Sequence, residues 1–246
     1  MTLAQRFADA LAAEEADSGD APELLPVRLA RAGARVLPVA GLGISVQSGE
    51  LGRCPLGSST EDADLAERLQ FTAGQGPCTA AFTSGRPVFA LPEDMAHRWP
   101  EFARQLTGRT PFRGIVALPF RRGLAGVGAL DLYLTDPADV PRLDVFDAFT
   151  VADLITTALS EAGVWSTWSE ASGPDWLRSP AAERRTGVWR ALGRVSLDLD
   201  VGVPAALGVL RGHAGSAGRT VDDVAGDLLT GRLSAADVAG GSPDCV

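Results

Sequence analysis

The chain contains no lysine and no asparagine, so all 22 of its cationic side chains are Arg. Without Lys there is no P-loop, whose phosphate contacts need one. His97 and His213 are the only two histidines. That excludes a His-rich metal site and leaves a Ser-His-Asp triad few candidates for its base. The three cysteines, Cys54, Cys78 and Cys245, form no CxxC and no metal-ligand spacing. Their odd count and wide separation fit a reducing compartment and not a disulfide scaffold. No run approaches the ~18 apolar residues of a membrane span. The stretch Met1 to Asp17 carries Arg6, Asp9, Glu14 and Glu15, so it lacks the apolar centre of a signal peptide. A cytoplasmic location is expected, with no membrane, metal or cofactor.

What is present is apolar. The 246 residues are 46% hydrophobic and 22% charged, enough for a sizeable core in one large domain or two modest ones. Net charge is −9, which argues against non-specific binding to nucleic acid or to an anionic membrane. The excess is uneven. Residues 180–246 hold seven Arg against eight acids, and residues 1–179 hold 15 against 23. Within Ala182 to Val195 there are four Arg and one acid.

Leu3, Phe7 and Leu11 mark a short amphipathic helix, and Leu24 to Ala34 suggests a second. From Val36 to Gly57, short apolar runs cut by Gly and Ser read as strands joined by a tight turn. Ser59 to Gln70 returns to helical spacing, with Ser59 or Thr60 as N-cap. Gly114 to Phe120 and Val127 to Leu134 form a hairpin. Leu143, Phe146, Phe149, Ala152, Ile155 and Leu159 mark a long helix to about Ala162. Asp131 alternates to the polar face of its strand. The Gly-, Ser- and Trp-rich stretch after Gly163 reads as a linker whose three Trp dock on a domain or a partner.

The remainder reads as three helices. Val188, Leu192, Val195 and Leu199 give the first its apolar stripe. Pro204 opens the second, with Leu207, Leu210 and Ala214 inward. Thr220 to Asp223 is a capping box opening the third, which Gly231 ends. The expected architecture is α+β, a mostly antiparallel sheet flanked by helices, followed by an all-α bundle. Its boundaries are 1–21 (N-terminal helix), 22–162 (sheet domain), 163–183 (linker), 184–234 (three-helix bundle) and 235–246 (flexible tail).

Candidate chemistry is sparse. Gly74-Gln75-Gly76-Pro77-Cys78 is not a nucleotide-binding loop, and a Cys nucleophile needs a base nearby that neither His supplies. Cys78 reads as a packing or pocket-wall residue, and no enzyme activity is expected. Arg190 and Arg194 share a helix face at i, i+4, open to two readings: a solvated charged face or a binding face.

Glu67 to Cys78, Thr83 to Val88, Arg98 to Phe102, Ala117 to Phe120 and Gly128 to Tyr133 together resemble the GAF domain of actinobacterial GAF–ANTAR regulators. Ala191-x-Gly193, Ala206-Leu207-x-x-Leu210-Arg211-x-His213-Ala214, Arg219-x-Val221-x-x-Val224-Ala225 and Gly231-Arg232-Leu233 resemble the ANTAR domain that follows it. The resemblance implies a signal-responsive regulator of transcription antitermination. A GAF sensor would bind an unknown small ligand between the sheet and the segments carrying Phe71, Pro77, Cys78 and Phe82. The ANTAR bundle would bind paired RNA hairpins of a leader transcript, as a homodimer.

Physical chemistry allows such an RNA surface. Loop bases are read by Arg planes and by small residues that permit close approach. Ala191 and Gly193, rimmed by Arg190 and Arg194, have that pattern, and Arg211 could touch phosphate or cap a helix. Ala191 and Gly193 equally suit close helix packing. Leu192 stands where many family members carry Lys. That leaves an alternative: a sensor or scaffold whose degenerate ANTAR bundle mediates dimerisation or protein interaction without RNA.

Overall fold

The computed structural model describes residues 1–19, 21–47, 52–121, 126–165 and 173–240. In chain order the first elements are α1 (Leu3–Ser18), α2 (Leu25–Val36), β1 (Gly41–Gln47), β2 (Arg53–Ser58), α3 (Glu61–Ala73), α4 (Pro77–Ser84), β3 (Val88–Ala90), α5 (Pro92–Arg98) and α6 (Pro100–Arg109). They are followed by β4 (Gly114–Pro119), β5 (Gly128–Leu134), α7 (Val145–Trp165), α8 (Pro180–Asp198), α9 (Val203–Ser216), α10 (Val221–Leu229) and α11 (Ala235–Gly240). The protein is α+β: one antiparallel sheet of order β2-β1-β5-β4-β3, helices on both of its faces, then a helical bundle.

Alternation along the strands sorts two cores. Leu42, Ile44 and Val46 join Leu130, Leu132 and Leu134 under α1, α2 and α7. Ile115, Ala117 and Tyr133 face α3, α5 and α6 on the other side. The expected hairpin is β4–β5, with Pro119 opposite Ala129. The strand expected at Val36 to Ala40 is instead the end of α2 and the turn after it. Leu37 is pushed to an extended conformation by the following Pro38, and that ends the helix. The three-residue β3 is too short to leave a periodic signal.

β2 is an edge strand, which tolerates Pro55. Its register on β1 slips between Ile44 and Ser45, a bulge that leaves Leu56 unopposed. At Gly57 the α2 backbone crosses β2 closely. A Cβ there would lie 2.6 Å from the Pro26 carbonyl carbon. The N-terminal helix is fastened to α2 by Glu14, which is buried and forms ion pairs with Arg35 at 2.6 Å and Arg31 at 3.6 Å.

Two expected boundaries move. The bundle begins at Pro180, where Ser179 caps α8, and among the described residues it has four helices. Residues 235–240, expected in a flexible tail, form α11, with Ala235 and Val238 buried in the bundle core. The cap at Ser234 and Asp237 explains why the chain turns inward there (Ser234 N to Asp237 Oδ2, 2.8 Å). In the expected linker, Trp176 is buried and its indole N–H donates to the Leu159 carbonyl at 3.0 Å. Trp168 lies outside the described residues. The Val188, Leu192 and Val195 stripe and the Thr220–Asp223 capping box are as expected.

Two glycine substitutions test this packing in opposite directions. Gly57→Ala must push α2 off the sheet and is expected to cost about 1–3 kcal/mol. Gly208→Ala, in α9, meets nothing within 4 Å and is expected to gain up to about 1 kcal/mol from helix propensity. Urea unfolding of both variants measures the difference.

Candidate functional site

On the side of the sheet facing α3, β1 contributes Gly41, Gly43 and Ser45. A Cβ on Gly43 would run into the Glu67 carboxylate. This stripped strand leaves room for a buried polar cluster. Arg53, from β2, donates to the Glu67 carboxylate, to Ser45 Oγ at 3.0 Å and to Asp131 Oδ2 at 3.5 Å. Gln70 donates from its amide to Asp131 Oδ2 at 2.6 Å and accepts from the Cys78 backbone N–H at 3.0 Å. The Tyr133 hydroxyl donates to Glu67 Oε1 at 2.7 Å, and its ring stacks on Phe112 at 4.8 Å. Cys78 Sγ sits 3.4 Å from Ser45 Oγ.

Asp131 is therefore buried, not on a solvated face as the alternation suggested, because helices cover both faces of the sheet. Burial, with the Glu67 charge beside it, pushes its pKa up to about 8, against the opposing pull of Arg53 and Gln70. Burial works against the Arg53 charge, but Cys78, Glu67 and Asp131 outweigh it and hold the guanidinium above its ordinary value. Burial also raises the Tyr133 hydroxyl and the Cys78 thiol, and lifts Cys54 to about 11. Neither described thiol is poised to act as a thiolate. Among the described residues, Arg53 Nη1 and Asp131 Oδ1 have no hydrogen-bond partner.

Beside this cluster lies a cavity of about 80 Å³, lined by Arg53, Gln70, Phe71, Thr79 and, from α9, Arg211. Of the four residues expected to line a ligand pocket, Phe71 is at the wall of this cavity. Pro77 opens α4 and is buried, Cys78 is buried against Ser45, and Phe82 is half-buried; none of these three lines the cavity.

Phe71 and Thr72, at the C-terminal end of α3, are where the bundle docks. Arg185 of α8 is fully buried, with its guanidinium 3.3 Å from the Phe71 ring centroid and 3.3 Å from Asp222 Oδ1. Trp189 meets the same ring edge-on at 5.7 Å. Arg211 Nε donates to the Phe71 carbonyl at 3.1 Å, and Val221 N donates to Thr72 Oγ1 at 3.0 Å. Ion pairs Arg68–Asp223 and Arg184–Asp64 flank this joint. Burial lowers the Arg185 pKa to about 10 despite Asp222.

The expected RNA-reading residues separate. Ala191 is buried in the bundle core, so it has no surface to offer. Arg211 is turned inward onto Phe71. Arg190, Gly193 and Arg194 remain exposed on α8. Arg194 bonds to the Leu228 carbonyl at 2.9 Å and lies 3.5 Å from Asp198. A Cβ on Gly193 would meet nothing within 4 Å, so close packing among the described residues does not account for that glycine.

A scan of protein-family models and a search of curated proteins find no match. Among solved structures, the chain is similar to the GAF domain of an Acinetobacter phosphoenolpyruvate-protein phosphotransferase. The identity is 13% and the TM-score 0.43, over 69% of this chain and 100% of that one. Among the described residues, no helix is long and apolar enough to cross a membrane, and no group of three His, Cys, Asp or Glu could hold a metal ion.

Sequence reasoning missed Arg53, Glu67, Gln70 and Tyr133 as a group, and Arg185. A signal existed for three of them. Glu67 and Gln70 sit at i, i+3 on the face of α3 that also carries Ala63 and Ala66, and Tyr133 is the only Tyr in the chain. The Arg53 pairing had none, since its partners lie 14 and 78 residues away.

The proton on Asp131 makes stability depend on pH. The folded protein keeps it to about pH 8, whereas the unfolded chain releases it near 3.8. Its contribution is full below about pH 4 and is lost as pH rises to about 8. Asp131→Asn removes this dependence. Relative to that variant, the wild type is expected to lose stability from pH 4 to 8, by no more than about 1.4 kcal/mol per pH unit. Urea unfolding of both proteins at several pH values checks it.

Proposed function

We propose that the chain is a cytoplasmic, signal-responsive regulator of transcription antitermination. In this reading the sheet unit is a GAF-type sensor of a small ligand. The bundle is an ANTAR-type module that binds paired hairpins of a leader transcript as a homodimer. The ordered motif set across both units supports the reading. The observation that carries it is the outer face of α8. Arg190 is exposed and has no partner among the described residues. Beside it, Gly193 keeps open space that none of the described residues fills. A helix-interior Gly costs about 1 kcal/mol relative to Ala. Close approach of an RNA backbone or loop base to α8 gives that cost a use.

The same geometry narrows the reading surface to Arg190, Gly193 and Arg194. The other bundle cations are engaged: Arg185 with Asp222, Arg211 with Phe71, Arg219 and Arg232 with Asp227, Arg184 with Asp64. A second reading, protein pairing without RNA, is favoured by Leu197, which is 84% exposed on the same helix.

Binding to a two-hairpin leader RNA, against single-hairpin and scrambled controls over a salt series, separates the two readings. The RNA reading expects selective binding that weakens steeply with salt. Replacing Arg190 and Arg194 together by Ala should shallow the log–log salt slope by about 1.5. Gly193→Ala should stabilise the fold by up to about 1 kcal/mol yet weaken RNA binding at least several-fold. Unchanged RNA affinity in Gly193→Ala would exclude close approach at that position. Binding that is absent at low salt would favour protein pairing.

A further inference from the structure

The cavity beside Arg53 belongs to both structural units. Arg53, Gln70, Phe71 and Thr79 come from the sheet unit, and Arg211 comes from α9 of the bundle. At about 80 Å³ it has room for a few waters or a molecule of about four or five heavy atoms.

Three guanidinium groups gather around the end of α3: Arg53 lines the cavity, and Arg185 and Arg211 lie 3.3 Å and 5.1 Å from the Phe71 ring. They oppose one another, and the charges of Arg53 and Arg211 add to burial in lowering the pKa of Arg185. Among the described residues, the nearby carboxyl groups are Glu67 and Asp131 beside Arg53, and Asp222 beside Arg185. Burial, with Glu67 beside it, disfavours the charged form of Asp131. Burial also disfavours the charged form of Asp222. Among the described residues, Arg211 has no carboxylate partner; its Nε spends its bond on the Phe71 carbonyl. Among the described residues, Arg53 Nη1 is likewise buried without a hydrogen-bond partner, so both cations bring unpaired N–H groups to the cavity. A partly buried cation without a counter-charge is costly, so an anion is the ligand that relieves it. Arg53 Nη1 and the two Nη groups of Arg211, with Thr79 in the lining, suit an oxoanion, which accepts several N–H or O–H bonds at once.

We propose that this cavity binds a small oxoanion, a carboxylate or a phosphate, between Arg53 and Arg211, so that the ligand ties the bundle to the sheet unit. This deepens the sensing half of the proposed function and rests on that reading. Ligand and bundle then share one contact, Arg211, and occupancy tightens the joint at Phe71.

The test is thermal unfolding of the full chain in sodium phosphate and in sodium acetate, against sodium chloride at equal ionic strength. At 100 times Kd the bound anion should raise Tm by about 5 °C or more. A rise with phosphate alone, or with acetate alone, identifies the ligand source, and a rise with both means that the site reads the shared oxoanion chemistry. Arg211→Gln, whose side chain is only half-buried, should cut anion affinity at least tenfold. Arg104→Gln, an exposed cation on α6, should leave it unchanged. Arg53 is unsuitable for this purpose, because the buried cluster depends on it. The proposal is overturned if neither anion exceeds chloride, or if Arg211→Gln keeps the full shift. Binding to the two-hairpin RNA is measured on the same preparation without added anion. Intact RNA binding beside an absent anion effect sinks this proposal alone. An anion effect beside absent RNA binding sinks only the RNA half of the function.

Discussion

A guanidinium taken out of water between a sheet and a helix cannot be left alone, and the sheet unit is organised around that constraint. Arg53 lies between β1 and α3, bonded to Glu67 and Ser45 and within reach of Asp131. Each partner imposes a further requirement. Glu67 needs a position on β1 without a side chain, which Gly43 provides. Asp131 needs the Gln70 amide, and Gln70 in turn holds the first turn of α4 through the Cys78 N–H. Removing one member would leave the others desolvated and unpaired, which is far costlier than never having built the group. Such a network specifies one arrangement of β1, β2, α3 and α4 more sharply than apolar packing could.

The same helix carries the joint to the bundle. One face of α3 points Glu67 and Gln70 at the sheet cluster, and its C-terminal end offers Phe71 and Thr72 to α8, α9 and α10. Gln70 and Phe71 are adjacent in sequence, so the polar cluster and the docking contact are one residue apart. A shift of α3 at one would be felt at the other. The bundle is accordingly no free appendage. Its Arg185 and Arg211 complete the surroundings of Phe71, and Phe71 completes the bundle's core.

Much of the fold was legible from local pattern. The β4–β5 hairpin, the long α7, the caps at Thr60 and Thr220, and the Val188–Val195 stripe depend on residues within a few positions of one another. Periodicity and capping report such neighbours directly. The candidate site was legible only in fragments. Asp131 looked solvent-facing, because alternation tells two faces apart but does not say whether the second is also covered. Arg190 and Arg194 stood out as a helical pair at i, i+4, yet nothing local distinguished them from Arg185 and Arg211, which turn inward.

By itself the sequence determined the longer elements (α1 to α3, the β4–β5 hairpin, α7 and the first three bundle helices), their order and the α+β class, together with the scarcity of His and Cys that narrows the chemistry. Those properties follow from composition and from interactions between near neighbours. Only the tertiary structure decided which polar residues are buried together, that residues 235–240 form a fourth bundle helix, and that Ala191 and Arg211 face inward. Burial and charge pairing are set by segments that meet in space from far apart in the chain. Arg53 with Asp131, and Phe71 with Arg211, are separated by 78 and 140 residues. No periodicity along the chain encodes those distances.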